Sequence, residues 1–514
     1  MKLSRAALTL ALLAMTQTSF AGADKADSEA WEALVREYGK PNASVEKTEP
    51  PVTDDEAIRA GSWDVLASKY ENRYAAPDGK TVLSPDVLAS WWDVFGDKTL
   101  TDLIQDALLN NRDLRAARGK VLEARAALGI SRSAALPWLD NTDNWTDNKS
   151  SENSEGRGAR AEVTRLAIDA SWEIDIFGGQ RESINAAGAD LEATHAALHA
   201  SWVALSSEVA LNYLSLRTLH ERLNIAATNL ALQEETLTML SSMYDAGLCD
   251  SLALNQARYT VENTRASIPP IKTSVENVMN VLAILTGQAP GSLEESLSER
   301  QPLPKANMSM LVGIPAEGLR RRPDIRAAER ALAAQISRRK SAEKDLLPKF
   351  FLMGSIGLES LSGGSLFSSD SYGFSFGPRI TIPIFHGGAI RKNIQIQTAR
   401  EDQLLASYEG AVLNAVAEVR NALASSTQEI DRNKSLRSGA EAAEAALSVA
   451  YDKYRNGLVD FNNVISAQTA LLSMEDQLIV SEGQMTSNIV RVFKALGGGW
   501  NPLAEGEPVA RKTE

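Results

Sequence analysis

The residues whose types and spacing could do chemistry are few. His195 and His199 stand four apart, with Glu192 three residues before the first. On a helix, side chains three and four apart share a face, so two imidazoles and a carboxylate would converge as in a zinc site. A catalytic zinc helix carries the order His-Glu-x-x-His, which is absent, and no third ligand cluster accompanies the pair. A metal site is therefore not expected there. His220 and His386 are isolated. Gly497-Gly498-Gly499 follows a long helical pattern and reads as its stop signal, not as a phosphate-cradling loop. The single Cys249 excludes an intrachain disulfide framework. No catalytic residue and no cofactor is expected, and the chain does not read as an enzyme.

Composition points the same way. The 514 residues are 44% hydrophobic but only 6% aromatic, and alanine and leucine are abundant, which favours long helices. No proline occurs between Pro137 and Pro269, or between Pro383 and Pro502. At the N-terminus Lys2 and Arg5 precede the apolar run Ala6 to Met15. Ser19-Phe20-Ala21 then supplies the small residues of a cleavage site, so residues 1–21 read as a secretory signal. About ten apolar residues are too few to span a bilayer. Removing the two basic residues takes the formal charge from −13 to −15, which argues against a nucleic-acid partner. No cysteine lies near the expected cleavage point, so lipidation there is not expected.

Internal repetition sets the organisation. Asn111-Arg112-Asp113-Leu114-Arg115-Ala116-Ala117 recurs 211 positions later as Arg322-Pro323-Asp324-Ile325-Arg326-Ala327-Ala328. Leu136-Pro137 answers to Leu347-Pro348. Glu208-Val209, Gly247-Leu248, Ala257 and Gly287 answer to Glu418-Val419, Gly457-Leu458, Ala467 and Gly497, at a spacing of 210. Each repeat is expected to run helix, strand, loop, strand, long helix, turn, helix.

From Thr164 to Ile176, Leu166, Ile168, Ala170, Trp172, Ile174 and Ile176 alternate with Arg165, Asp169, Ser171, Glu173 and Asp175. In the second repeat Tyr372, Phe374, Phe376, Ile380, Ile382 and Ile384 alternate with Gly373, Ser375, Gly377, Arg379 and Thr381. Period two over some 13 residues describes a strand with one apolar and one polar face, and the length suits a tilted bilayer crossing. Leu166, Ile168, Trp172, Ile174, Phe374, Phe376, Ile380 and Ile382 are then expected to face lipid, and Arg165, Asp169, Glu173 and Arg379 a lumen. Polar segments at 147–157 and 360–370 read as surface loops. The stretch from Trp138 to Trp145 is the poorest strand, because Asp140, Asp143 and Asn144 blur its alternation. From Gln180 to Met243 the period becomes seven. Ile184, Leu191, Leu198 and Leu205 form one stripe, and Val209, Leu216, Leu223, Leu230, Leu237 and Tyr244 a second. That pattern predicts a helix of roughly 60 residues and about 90 Å, flanked by coiled-coil neighbours.

These features resemble the TolC-like outer membrane factors, in particular the NodT-type branch that serves resistance–nodulation–division pumps. The resemblance rests on Leu319-Arg320-Arg321-Arg322-Pro323-Asp324, on Trp91-Trp92-Asp93-Val94-Phe95-Gly96-Asp97 with Leu100, on Ile268-Pro269-Pro270 and on Leu285-Thr286-Gly287-Gln288-Ala289-Pro290. It covers about residues 88 to 500. It implies an α+β membrane protein: a trimeric β-barrel with four strands per subunit, twelve in total, continued by a long periplasmic α-helical barrel. It also implies a homotrimer in outer membrane lipid, a periplasmic adaptor (membrane fusion) protein and an inner-membrane resistance–nodulation–division pump. The adaptor would meet the helix-to-helix tips at Gly247, Leu248, Gly457 and Leu458. In the family the closed end often carries aspartates six and nine residues after the second tip glycine. Here those positions hold Asn463 and Ser466, and the nearest acid is Asp460, matched by Asp250 in the first repeat. Capping and gating are both open to Asp460.

The expected organisation is a signal peptide (1–21), an N-terminal periplasmic leader (22–87), a first repeat (88–290), a linker (291–318), a second repeat (319–500) and a C-terminal tail (501–514). The expected function is passive export of small molecules through the outer membrane as one part of a tripartite efflux system. A protein-secretion duct of the same fold is the alternative, and a periplasmic coiled-coil scaffold the distant one. The strands give a scaffold no reason to exist.

Overall fold

The computed structural model describes residues 88–153, 155, 158–304, 321–361 and 365–500, which fall in one compact unit. The signal peptide, the leader, the C-terminal tail and residues 305–320 of the linker region lie outside the described residues.

The proline-free intervals become the longest helices, and the repeat is visible in their lengths. In the first repeat α1 (Lys98–Asn110) leads into α2 (Arg112–Ser133, 22 residues), then strands β1 (Trp138–Lys149) and β2 (Arg160–Ile174). Next come α3 (Gly179–Asp245, 67 residues) and α4 (Ser251–Leu285, 35 residues). After the short α5 (Glu294–Leu297), the second repeat follows with α6 (Pro323–Lys344, 22 residues), β3 (Lys349–Ser360) and β4 (Tyr372–Thr381). It ends with α7 (Ala389–Arg455, 67 residues) and α8 (Phe461–Ala495, 35 residues). At 1.5 Å per residue, α3 and α7 each reach about 100 Å.

The four strands form one antiparallel sheet in the order β1-β2-β3-β4. Its register puts Leu166, Leu358 and Tyr372 in one cross-strand row, and Ile168, Ile356 and Phe374 in another. The rows Ala170–Gly354–Phe376 and Ile174–Phe350–Ile380 lie on the same face. The opposite face carries Asp169–Ser355–Ser375 and Glu173–Phe351–Arg379. Two expectations shift at the strand ends. β1 runs through to Lys149 in unbroken register with β2 despite its poor alternation, because backbone pairing, not side-chain burial, holds it. β4 stops at Thr381, so Ile382 and Ile384 lie beyond the strand. Pro383 explains the stop: it has no N–H to give a ladder. Ile382 is nonetheless 60% exposed.

The main core lies between the sheet and the helical tips. There α1, α2, α3, α4 and the upper part of α8 pack around a 3₁₀ turn, Trp91–Phe95. Trp91 is fully buried and stacks on Phe493 with ring centroids 5.6 Å apart. A smaller cluster of Leu240, Leu254, Ala257, Phe461 and Val464 joins the two hairpins near their tips. Among the described residues, no helix is long and apolar enough to cross a membrane.

Candidate functional site

The candidate site is built from three levels of the chain. The first is the sheet. Leu166, Ile168, Trp172, Ile174, Phe374, Phe376 and Ile380 share one face through the register above, and Arg165, Asp169, Glu173 and Arg379 share the other. In the first set Ile168, Phe374, Phe376 and Ile380 are 45%, 74%, 74% and 58% exposed side by side, a contiguous apolar patch of the kind that marks an interaction surface. On the polar face the Arg165 guanidinium donates to Asp169 Oδ1 at 3.0 Å and to Ser355 Oγ at 2.8 Å. A cavity of about 610 Å³ opens there, lined by Asp140, Arg165, Asp169, Ser355 and Ser375. β1 departs from the pattern on the apolar face: Asn141 and Asp143 sit there and bond to each other at 3.1 Å. Trp145 anchors the loop end by donating from Nε1 to Glu162 Oε1 at 2.8 Å.

The second level is a knot of buried polar groups about the main core. Asn111 begins α2 by accepting from the Asp113 and Leu114 N–H groups, while its amide nitrogen donates to the Leu285 carbonyl at 2.9 Å. The repeat-related position is Arg322, which makes the same tie with a different group. Its Nη1 donates to the Ala495 carbonyl at 2.9 Å. Nε and Nη2 grip Asp324 at 3.0 and 2.7 Å, and Nη2 also meets Glu418 at 2.7 Å. Burial alone would lower the Arg322 pKa, but Asp324 and Glu418 raise it. For Asp324, burial pushes upward and is outweighed by the guanidinium, which holds the carboxyl below its usual range. The Arg-Arg-Pro-Asp run is thus a clamp that fixes the start of α6 to α7 and to the end of α8.

Sequence reading missed a second clamp. Arg217 is fully buried, lies 4.7 Å over the Tyr213 ring, and donates to the Glu299 carbonyl and Gln301 Oε1 at 2.9 and 3.0 Å. Tyr213 donates to Asp97 Oδ2 at 2.6 Å, and Asp97 caps α1 through the Leu100 N–H. Burial first, then the Asp97 bond, pushes the Tyr213 hydroxyl up to about 12. The available signal was a charged residue directly after Leu216, next to the second heptad stripe.

His195 and His199 do not form a metal centre with Glu192, whose carboxylate meets Arg330 at 3.3 Å. Among the described residues no group of three potential ligands converges. His199 instead stacks on Trp500 at 4.7 Å beside Trp202. Burial, then the nearby His195 and Arg326, lower its pKa to about 4.

The third level is the pair of helical tips. Gly247 and Gly457 adopt φ of 74° and 68°, the left-handed turn that L side chains resist. Each closes a Schellman cap: Leu248 N–H reaches the Met243 carbonyl at 2.8 Å, and Leu458 N–H the Lys453 carbonyl at 2.9 Å. Leu248 and Leu458 are left 72% and 71% exposed. The matched aspartates differ. Asp250 caps α4 by accepting from the Ala253 N–H at 2.9 Å, whereas Asp460 makes no side-chain cap on α8. Asn463 and Ser466 are exposed and bond back to their own helix, at the Asp460 and Asn462 carbonyls.

Residues 103–288 and 314–498, the two repeats, match the outer membrane efflux protein family. The chain belongs to that family. It is similar to the toluene efflux pump outer membrane protein TtgF of Pseudomonas putida, with 32% identity over 82% of this chain and 87% of that protein. Nodulation protein T of Rhizobium leguminosarum bv. trifolii is 28% identical over 83% of this chain and 92% of that protein. Among solved structures, the outer-membrane channel OprN superposes with a TM-score of 0.78 at 31% identity, covering 90% of this chain and 99% of that one. The fold of this outer membrane efflux protein is accordingly that of a channel subunit, a barrel sector continued by a long helical wall.

Proposed function

We propose that three copies of this chain form the outer-membrane exit duct of a tripartite efflux system. The observation that carries the reading is the open four-stranded sheet, exposed and apolar on one face, mounted on helices of 67 residues. In lipid every backbone polar group needs a partner, so the free edges of β1 and β4 must be paired by other copies. Three sheets of four strands close a barrel of twelve. Leu166, Ile168, Trp172, Ile174, Phe374, Phe376 and Ile380 then face lipid, while Arg165, Asp169, Glu173 and Arg379 line the water-filled passage. The helices extend the passage into the periplasm. Gly247, Leu248, Gly457 and Leu458 present the exposed leucines that meet an adaptor protein, which couples the duct to a resistance–nodulation–division pump. The closed end lies at Asn463 and Ser466. The freedom of the Asp460 carboxylate from capping supports its role as the acid beside the gate. The duct itself is passive toward small molecules. The mature chain begins after Ala21 and carries no lipid.

The reading is tested by removing the gene from its host. Cells are expected to accumulate a fluorescent pump substrate, and a plasmid copy of this chain restores efflux. Unchanged accumulation in the deletion strain refutes the assignment.

A further inference from the structure

We propose that a copy of this chain selects its own kind through two ion pairs on the seam between α7 of one copy and α2 of the next: Glu409 with Arg115, and Arg400 with Glu123. The proposal rests on the trimeric channel reading and adds the residues that restrict the trimer to identical chains.

The internal repeat supplies a template for that seam. Within the chain β2 pairs with β3, which stands the start of α3 beside the end of α6. Closing the barrel pairs β4 of one copy with β1 of the next, and so stands α7 beside the next copy's α2 in the same way. α2 and α6 match at a spacing of 211 and α3 and α7 at 210, with equal lengths in each pair. Each contact between α6 and α3 therefore identifies two positions that meet across the seam.

Those contacts run along one stripe of α6. Ser341 Oγ lies 2.9 Å from Ser183 Oγ, Arg338 pairs with Asp190, and Arg330 pairs with Glu192 at 3.3 Å. Ala334, one turn from both arginines, is fully buried. Farther from the sheet, Arg326 stands near enough to His199 to disfavour its charge. Carried across the repeat, Arg338 and Asp190 become Ala127 and Arg400, and Arg326 and His199 become Arg115 and Glu409. Ala334 becomes Glu123.

The two faces are bare in the single chain. Ala186 of α3 is 4% exposed beneath α6, whereas its mate Ile396 on α7 is 50% exposed. Leu122 and Ile130 of α2 are likewise exposed. Arg115, Glu123, Arg400 and Glu409 are all exposed, and none has an ionic partner among the described residues. Their signs are complementary. A carboxylate at the buried position of Ala334 needs a cation, and Arg400 supplies it where the template has Asp190. Ala127, in place of Arg338, leaves the room. Where Arg326 faces an uncharged His199, Arg115 faces the carboxylate of Glu409. Asp402, the mate of Glu192, meets Gly119 and has Arg115 one turn away. Each helix thus carries one acid and one base in opposite order. A subunit of the same fold without that order brings like charges together or strands one of them, which costs affinity and so excludes it.

Charge reversal in the full-length chain tests the pairs. One variant reverses α2 alone (Arg115→Glu with Glu123→Arg), and a second also reverses α7 (adding Arg400→Glu and Glu409→Arg). Trimer recovered from outer-membrane fractions is expected to fall about fivefold or more for the first, and to return to within about twofold of the parent for the second. Co-expressed with a differently tagged parent, the doubly reversed chain is expected to enter mixed trimers about fivefold less often than a second tagged parent does. That readout is independent of folding, because the doubly reversed chain assembles with itself. Free mixing, an α2-reversed chain that assembles like the parent, or a doubly reversed chain that does not recover overturns the ion pairs and leaves the channel reading intact. A parent chain that yields no trimer overturns both.

Discussion

Arg322 offers the sharpest test of how the two repeats are joined. Its side chain is 7% exposed and serves three partners at once: Asp324, Glu418 and the Ala495 carbonyl. Arg322→Ala removes all of them. Breaking a buried ion pair from one side costs about 3–5 kcal/mol, and stranding a buried carbonyl about 1–3 kcal/mol. The two acids are 45% and 56% exposed, so water recovers much of their solvation and the first figure must be discounted. A net loss of roughly 2–4 kcal/mol per subunit remains. Arg322→Lys keeps the charge but cannot reach three partners, and is expected to recover less than half of the loss. The exposed neighbour Arg321 serves as control, since Arg321→Ala should change nothing. The assay is thermal loss of helical circular dichroism from detergent-solubilised protein. The contribution of Asp324 has a defined sign. Its folded pKa is depressed, so the stabilisation is present above the unfolded value near 3.9 and is lost as pH falls through the folded one. The gap between Arg322→Ala and the parent should therefore narrow in acid. A melting midpoint for Arg322→Ala equal to that of Arg321→Ala refutes the clamp.

Ile168→Arg places a charge on the apolar face and is expected to cost about 2–4 kcal/mol near the bilayer midplane, blocking assembly, whereas Asp169→Arg on the polar face is tolerated. Equal trimer yields on heat-modifiable gels would remove the basis for the two faces. Gly483→Leu cannot be seated against Thr218 and should destabilise the trimer by about 1–3 kcal/mol or more, read as a lower melting midpoint, while Gly410→Ala, which meets nothing nearby, does not. His199 is held neutral, with a pKa of about 4. Its depressed value means the stabilisation is complete above the unfolded pKa near 6.5 and is lost as pH falls toward 4, by at most about 3 kcal/mol. Tryptophan fluorescence should follow that loss in the parent chain, and His199→Phe should flatten this component of the profile.

Much of the architecture was legible because it repeats. A spacing that holds at 210 or 211 from Asn111 to Gly497 can only come from two copies of one unit, and helix pairs of equal length follow from it. β2 was legible because both its faces obey one period. β1 was less so: its order comes from hydrogen bonding to β2, which leaves no mark on Asp140, Asn141 or Asp143. The two tip aspartates look alike in sequence, yet only Asp250 caps its helix. Arg322 was recognisable as a family mark, but its partners Glu418 and Ala495 are brought to it only by the packing of α7 and α8.

The central claim, a duct through the outer membrane, is tested most directly by recording from the full-length protein purified from outer-membrane fractions and inserted into planar lipid bilayers. The account predicts stepwise, uniform increases in conductance as trimers insert. Bilayers that stay silent while the protein is demonstrably incorporated would contradict it.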